Sequence, residues 1–275
     1  MRTDTLERLV PAGAGRLRVA LDGPVGTPVV TLLHSLASSG ALWEREAERL
    51  SRNHRVLRID GRGHGGSDIP TGPYGFDDLV ADVVAVWDAL GIARSAVIGL
   101  SMGGMTAFGL ALAHPDRVAA ILAADCRSDA PEFFRAMWQG RRRLLDEGGM
   151  AAVAEATLPT WLTEETRSGR PDLVARVRGM ILATDPDGYR FATRALDGLD
   201  YKRRLQEIAV PATLVVGAQD GPHPAEMRAM ADLIPGARLV EIENAAHLAN
   251  LEQPDRFMTA IEDALARTAE LEAQR

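Results

Sequence analysis

Three side chains have the types and chain order needed for acyl transfer through a hydroxyl nucleophile. Ser101 stands in Gly99-Leu100-Ser101-Met102-Gly103, a G-x-S-x-G pattern. With 26 glycines in 275 residues the pattern alone is weak, so its context decides. The apolar run 95–100 reads as a strand entering the motif, and 102–113 reads as a helix leaving it. A serine on so sharp a turn is pushed into a strained backbone conformation, and the flanking glycines relieve the close contact of strand and helix. The Met102 N–H then opens a helix and can donate to a developing oxyanion. The competing reading is a Gly-rich turn in which Ser101 only caps the helix.

A hydroxyl attacks only when a base takes its proton and an acid holds that base in place. Six histidines are available: His34, His54, His64, His114, His223 and His247. His34 ends the run VVTLL and reads as a backbone-positioning residue. His54 lies in a polar loop, His64 in the turn Asp60-Gly-Arg-Gly-His-Gly-Gly-Ser67, and His114 at a helix end before Pro115. His223, between two prolines, is a decoy close to the candidate acid. His247 follows the last expected strand in Glu243-Asn-Ala-Ala-His-Leu248, the place that the order Ser…Asp…His requires. For the acid, Asp220 follows the run 212–217. Asp125, at the end of the run 118–124, competes for the same role; its other readings are a substrate-facing or a structural one.

A second oxyanion donor should come from the loop after the run 29–33, where His34-Ser35-Leu36-Ala37 makes the Leu36 N–H the candidate beside that of Met102. Ser35 stands where such loops usually have glycine. Candidate substrate contacts are Asp125, Arg127, Arg135, Trp138, Arg142 and Trp161. An arginine among them could hold a carboxylate through two parallel hydrogen bonds. The run Arg141-Arg142-Arg143 otherwise reads as a solvated helix face with at most one arginine facing a pocket.

The elements that must position these residues alternate along the chain. Apolar runs at 16–21, 29–33, 55–59, 95–100, 118–124, 212–217 and 238–243 read as strands, several covered on both faces as in a parallel sheet. Helices are expected at 41–50, 76–90, 102–113, 225–233 and 254–269, the last with Pro254 in its first turn. This is an α/β, doubly wound, mostly parallel sheet. From 131 to 195 no strand is expected, only helical pieces at 132–146, 150–157 and 171–183. The division is therefore a core of 1–130 and 196–275 with a helical cap of 131–195 over the sheet's carboxyl edge, where such sheets bind ligands.

Composition agrees with an ordinary soluble globular protein. Hydrophobic residues make up 46% and charged residues 25%, and the net charge of −7 argues against nucleic-acid binding. No run approaches the ~18 apolar residues of a membrane span, and the first residues do not read as a secretory signal. A single cysteine, Cys126, excludes an internal disulfide and a thiolate metal cluster. A cytoplasmic protein without metal or organic cofactor, and without nucleic-acid or membrane partners, is expected; homo-oligomerisation is left open.

Over nearly its whole length the chain resembles the α/β-hydrolase superfamily. The resemblance rests on His34-Ser-Leu36, Asp60-Gly-Arg-Gly-His-Gly-Gly-Ser67, Gly99-Leu-Ser-Met-Gly103, His114-Pro-Asp-Arg-Val118, Gly217-Ala-Gln-Asp220 and Ala246-His247. More narrowly it is similar to the 3-oxoadipate enol-lactonases. The residues that carry this are Asn244-Ala-Ala-His-Leu-Ala-Asn-Leu-Glu-Gln-Pro254, Gly149-Met-Ala-Ala152, Ala183-Thr-Asp-Pro-Asp-Gly-Tyr189, and Ser35-Leu36 with Ala41-Leu-Trp43. The resemblance implies hydrolysis of a small lactone or ester, often carboxylated, in aromatic-compound catabolism. Asp125-Cys-Arg127 departs from it, placing an acid where a neutral residue is expected. Alternatives on the same fold are a carboxylesterase, a C–C bond or amide hydrolase, a cofactor-free perhydrolase and a non-catalytic ligand-binding receptor.

Overall fold

The computed structural model describes residues 5–13 and 15–274. Its strands are β1 (Leu6–Ala12), β2 (Gly15–Asp22), β3 (Val29–Leu33), β4 (Arg55–Ile59), β5 (Ser95–Leu100), β6 (Val118–Ala124), β7 (Ala212–Gly217) and β8 (Arg238–Ile242). They form one sheet in the order β1-β2-β4-β3-β5-β6-β7-β8. β3 to β8 run parallel, and β2 is antiparallel to both β1 and β4. All seven expected strands form. The addition is β1, an edge strand exposed along most of its length, whose sequence lacks the buried alternation that marks a half-covered strand.

The helices are α1 (Glu44–Leu50), α2 (Phe76–Leu90), α3 (Met102–Ala113), α4 (Glu132–Trp161), α5 (Glu164–Gly169), α6 (Pro171–Leu182), α7 (Pro186–Asp197), α8 (His223–Leu233), α9 (Ala249–Glu252) and α10 (Pro254–Ala273). The expected helix 41–50 is split, because a 3-10 turn at Gly40–Trp43, with the Ser39 side chain at its cap, precedes α1. The two pieces expected at 132–146 and 150–157 are continuous in α4, which bends at Gly149 (φ 64°, ψ −165°). Only glycine adopts that backbone without strain. α5, α7 and α9 are additional. No described helix is long and apolar enough to cross a membrane.

β5, β6 and β7 are buried throughout, and large side chains such as Trp43, Trp87, Phe108 and Phe257 fill the layers between sheet and helices. Chain order reverses at β3, which has β4 on one side and β5 on the other. Such a switch point leaves a crevice at the carboxyl ends of the strands. The helices α4 to α7 enter between β6 and β7, and α4 packs on α6 and α7.

Candidate active site

Ser101 joins β5 to α3 with φ 54° and ψ −116°. A non-glycine residue held there costs about 1–3 kcal/mol, which the surrounding structure must supply. The turn is held by Ser101 N–H donating to Ala124 O (2.8 Å) and Met105 N–H donating to Ser101 O (2.9 Å). The glycines on either side are forced by contact. A Cβ on Gly99 would lie 2.2 Å from the Gly103 carbonyl group, and one on Gly103 would lie 2.1 Å from Leu33 O. The half-buried serine lines a cavity at the carboxyl edge of the sheet.

Asp220 and His247 come together after β7 and β8. His247 Nδ1–H donates to Asp220 Oδ2 at 2.8 Å, and both residues are almost wholly buried. This fixes the tautomer and leaves Nε2 as the basic nitrogen. His223 is more than a decoy: its Nδ1 lies 3.3 Å from the same Asp220 oxygen, and the two imidazoles are 5.6 Å apart. Burial alone would raise the Asp220 pKa. The charge of His247 and the hydrogen bonds from both imidazoles outweigh it and hold the carboxyl well below the ordinary aspartate range. One ligand atom each of Asp220, His223 and His247 lies within 4.8 Å of the others, a spacing that could also hold a metal ion. Both Nδ1 atoms are already turned to the carboxylate, so the cluster is complete as a hydrogen-bonded unit. No direct hydrogen bond joins Ser101 to His247 among the described residues. Such contacts commonly tighten only around substrate.

The loop after β3 is braced from below. Gly61 N–H donates to His34 Nε2 (2.8 Å), so His34 Nδ1 carries the proton and donates to Ser35 O (2.7 Å). Burial lowers the His34 pKa and keeps the ring neutral in this role. Asp60 accepts from Gly40 N–H (2.7 Å) and Gly66 N–H (2.9 Å), tying the Gly-rich turn to the same loop. The left-handed residue is Ala37 (φ 55°) rather than Ser35, which is why Ser35 can carry a side chain. Leu36 lines the cavity beside Ser101, and Met102 is the first residue of α3.

The cavity holds about 450 Å³ and lies between the strand ends and the helices inserted after β6. Trp138 and Trp161 both line it, and Trp161 stacks on His247 with ring centres 5.7 Å apart. Arg127 also lines it, but its guanidinium is bound to Glu226 and Asp129 and lies 5.0 Å from the rings of Phe133 and Phe134. Three expected contacts lie elsewhere. Arg135 is exposed and turns back to the Ala130 carbonyl. Arg142 donates to Thr193 O (2.8 Å) and Asp197 Oδ2 (2.7 Å), fastening α4 to α7. Asp125 is fully buried behind the site rather than facing the cavity.

A family model described as the alpha/beta hydrolase fold matches residues 28–254. The chain belongs to the α/β-hydrolase family. Among its relatives, 3-oxoadipate enol-lactonase 2 of Acinetobacter baylyi is 30% identical over 252 residues, which is 91% of this chain and 93% of that protein. The crystal structure of the enol-lactonase from Burkholderia xenovorans LB400 matches with a TM-score of 0.90 at 34% identity, covering 94% of this chain and all of that one. A malate-bound thermophilic esterase from Thermogutta terrifontis matches with a TM-score of 0.85 at 28% identity, over 96% and 99% of the two chains. The protein is thus a hydrolase of this family.

Sequence reasoning passed over two residues of this α/β-hydrolase. Arg141, not Arg142, is the member of the arginine run that reaches the cavity. Its signal was helical phase, since Phe134, Trp138, Arg141 and Leu145 share one face of α4 at spacings of four, three and four. Glu252, buried on α9, is the other. Its Oε2 accepts from Ala246 N–H (2.7 Å), next to His247, while Oε1 accepts from Thr163 N–H (2.9 Å) and Thr163 Oγ1–H (2.8 Å). One carboxylate therefore ties the histidine loop to the start of α5. Glu252→Ala is expected to cost about 3 kcal/mol in urea unfolding, as buried donors lose a charged acceptor. About tenfold in kcat should be lost with it. Unchanged stability would show that this tether carries no weight.

Proposed function

We propose that the protein hydrolyses a small lactone or ester bearing a carboxylate, with 3-oxoadipate enol-lactone as the first candidate, through a Ser101 acyl-enzyme. The observation that carries this reading is Arg141. Its guanidinium donates to Ala156 O (2.8 Å) and Thr157 Oγ1 (3.2 Å) but has no carboxylate partner among the described residues. The indole N–H of Trp138, one helical turn away on the same wall, is buried and has no acceptor among the described residues. Burial lowers the Arg141 pKa, a cost that an anionic ligand would offset. The remaining arginines of the cavity, Arg127 and Arg167, already have acidic partners in Glu226 and Glu164.

In this reading Arg141 holds the substrate carboxylate at the cap end and leaves the ester carbonyl over Ser101. Ser101 Oγ attacks the carbonyl carbon as His247 Nε2 takes its proton, and Asp220 steadies the imidazolium. The Leu36 and Met102 N–H groups bind the oxyanion, an effect worth about 3–4 kcal/mol per donor. Collapse breaks the ester C–O bond, and the leaving oxygen receives the proton from His247. In a lactone that oxygen stays attached to the acyl chain; an enol formed there becomes a ketone. Water, deprotonated by His247, then attacks the acyl-enzyme and releases the carboxylic acid. The enol-lactonase relatives support the substrate.

A second reading, a carboxylesterase for uncharged esters, draws on the apolar walls formed by Leu36, Phe133, Phe134 and Met137. One experiment separates the two. Hydrolysis of 3-oxoadipate enol-lactone is followed in the ultraviolet beside p-nitrophenyl acetate, for the wild type and Arg141→Met. Loss of a charge-assisted, bidentate contact should reduce kcat/KM for the lactone about 10²-fold more than for the neutral ester. Slow lactone turnover in the wild type, or equal losses on both substrates, would favour the uncharged-ester reading.

A further inference from the structure

Asp125 ends β6 with a left-handed φ of 45° and is completely buried. Its N–H donates to Val215 O (2.9 Å), and its Oδ1 accepts from Gly217 N–H (2.7 Å). The carboxyl is therefore clamped to the end of β7, at the start of the loop that carries Asp220. The other oxygen, Oδ2, is buried and receives no hydrogen bond from any N–H or O–H among the described residues. The charged group that bears on it most strongly is the carboxyl of Asp220. The Asp220 N–H is bonded back to Gly217 O (3.0 Å), the same residue that holds Asp125 Oδ1. Two ionised carboxylates in contact in a dry site repel strongly, and an ionised oxygen buried without a donor forfeits its solvation. Asp220 is the one fixed as an anion, because two imidazole Nδ1 atoms are turned to its Oδ2.

We propose that Asp125 is a neutral carboxylic acid whose Oδ2–H donates to Asp220, making it a positioning residue for the carboxylate that orients His247. The surroundings act in one direction. Burial is the main influence raising the Asp125 pKa well above its ordinary value, followed by the charge of Asp220, with Glu252 adding to it. His223 and His247 bear on Asp125 through Asp220. Nearby, the Cys126 thiol is itself pushed up, first by burial; the Asp220 and Glu226 charges raise it further, and Arg127 opposes them. An acid at this strand end thus presents the uncharged, donating group that an amide would. The positioning role rests on reading Asp220 and His247 as acid and base; the protonation does not, and is measured apart from activity.

Infrared spectroscopy of the wild type at pH 8 should show the C=O band of a protonated carboxyl, absent in Asp125→Asn. Glu46, another buried acid, is pushed up by burial to about 7 and is mostly ionised by then. No such band in the wild type would overturn the proposal without touching the hydrolase reading, and would do so even if the variant failed to fold. The pH profile of kcat/KM gives the second readout. If Asp125 is neutral, Asp125→Asn keeps the acid limb in place and most of the turnover, while Asp125→Ala, without a donor, loses about tenfold. If Asp125 is an anion, Asp125→Asn removes a negative charge beside the Asp220–His247 pair. The acid limb then moves to lower pH by about one unit. Proton linkage supplies the sign independently. The native state holds a proton that the unfolded chain releases, so above the ordinary aspartate range the wild-type folding constant falls up to tenfold further per pH unit than that of Asp125→Asn. Parallel slopes would contradict the assignment.

Discussion

Ser101→Ala is expected to lower kcat/KM for lactone and ester substrates by about 10⁴-fold or more, with the fold intact. The nucleophile is the one group whose removal deletes the covalent step. The residual rate should then be what oxyanion donors and substrate binding give to direct attack by water. Alanine is larger than the glycine that φ 54° would favour, but no larger than the serine it replaces, so the turn keeps its clamps from Ala124 and Met105. Stability should change little. Steady-state kinetics beside urea unfolding check both halves. A variant that keeps wild-type turnover would remove Ser101 from the chemistry and return it to a helix cap.

Asp220→Asn is expected to cost about 10⁴-fold in kcat at neutral pH. An amide keeps the shape of the side chain but not the charge, and its NH₂ facing His247 Nδ1 would favour the wrong tautomer. The lowered Asp220 pKa also sets the sign of the pH dependence. Its stabilising contribution is complete above the ordinary aspartate range and is lost only as pH falls through the lowered value. The acid limb of wild-type activity should therefore not report this carboxylate. The same pair of variants decides between the two candidate acids. If Asp125 were the operative acid, Asp125→Asn would carry the large loss and Asp220→Asn would be mild.

Much of this was legible in the sequence because the determinants are local. Strands buried on both faces are written as unbroken apolar runs, and one elbow glycine, Gly99, is forced by its neighbour Gly103, four residues on, while Gly103 is forced by Leu33 on β3. Asp220 and His247 stand directly after β7 and β8, so chain order alone brings them to one edge. What escaped the sequence depends on distant packing. β1 is an edge strand with little buried surface, and its pattern carries no period. Which member of Arg141-Arg142-Arg143 meets the cavity depends on the rotation of α4. That rotation is fixed by Arg142 bridging to Asp197 on α7. Arg127 has the right chemistry for a substrate carboxylate, but Glu226 and Asp129 take it first. Glu252 reads as one more acid in a polar stretch until the fold brings Thr163 beside it.

The most direct test of a Ser101 acyl-enzyme is covalent labelling. The wild type and Ser101→Ala would be treated with a fluorophosphonate, then compared by intact mass and by mapping the modified peptide. One adduct per wild-type chain, on Ser101, with Ser101→Ala unmodified, is the expected result. An unlabelled wild type, or an adduct on any other residue, would contradict it.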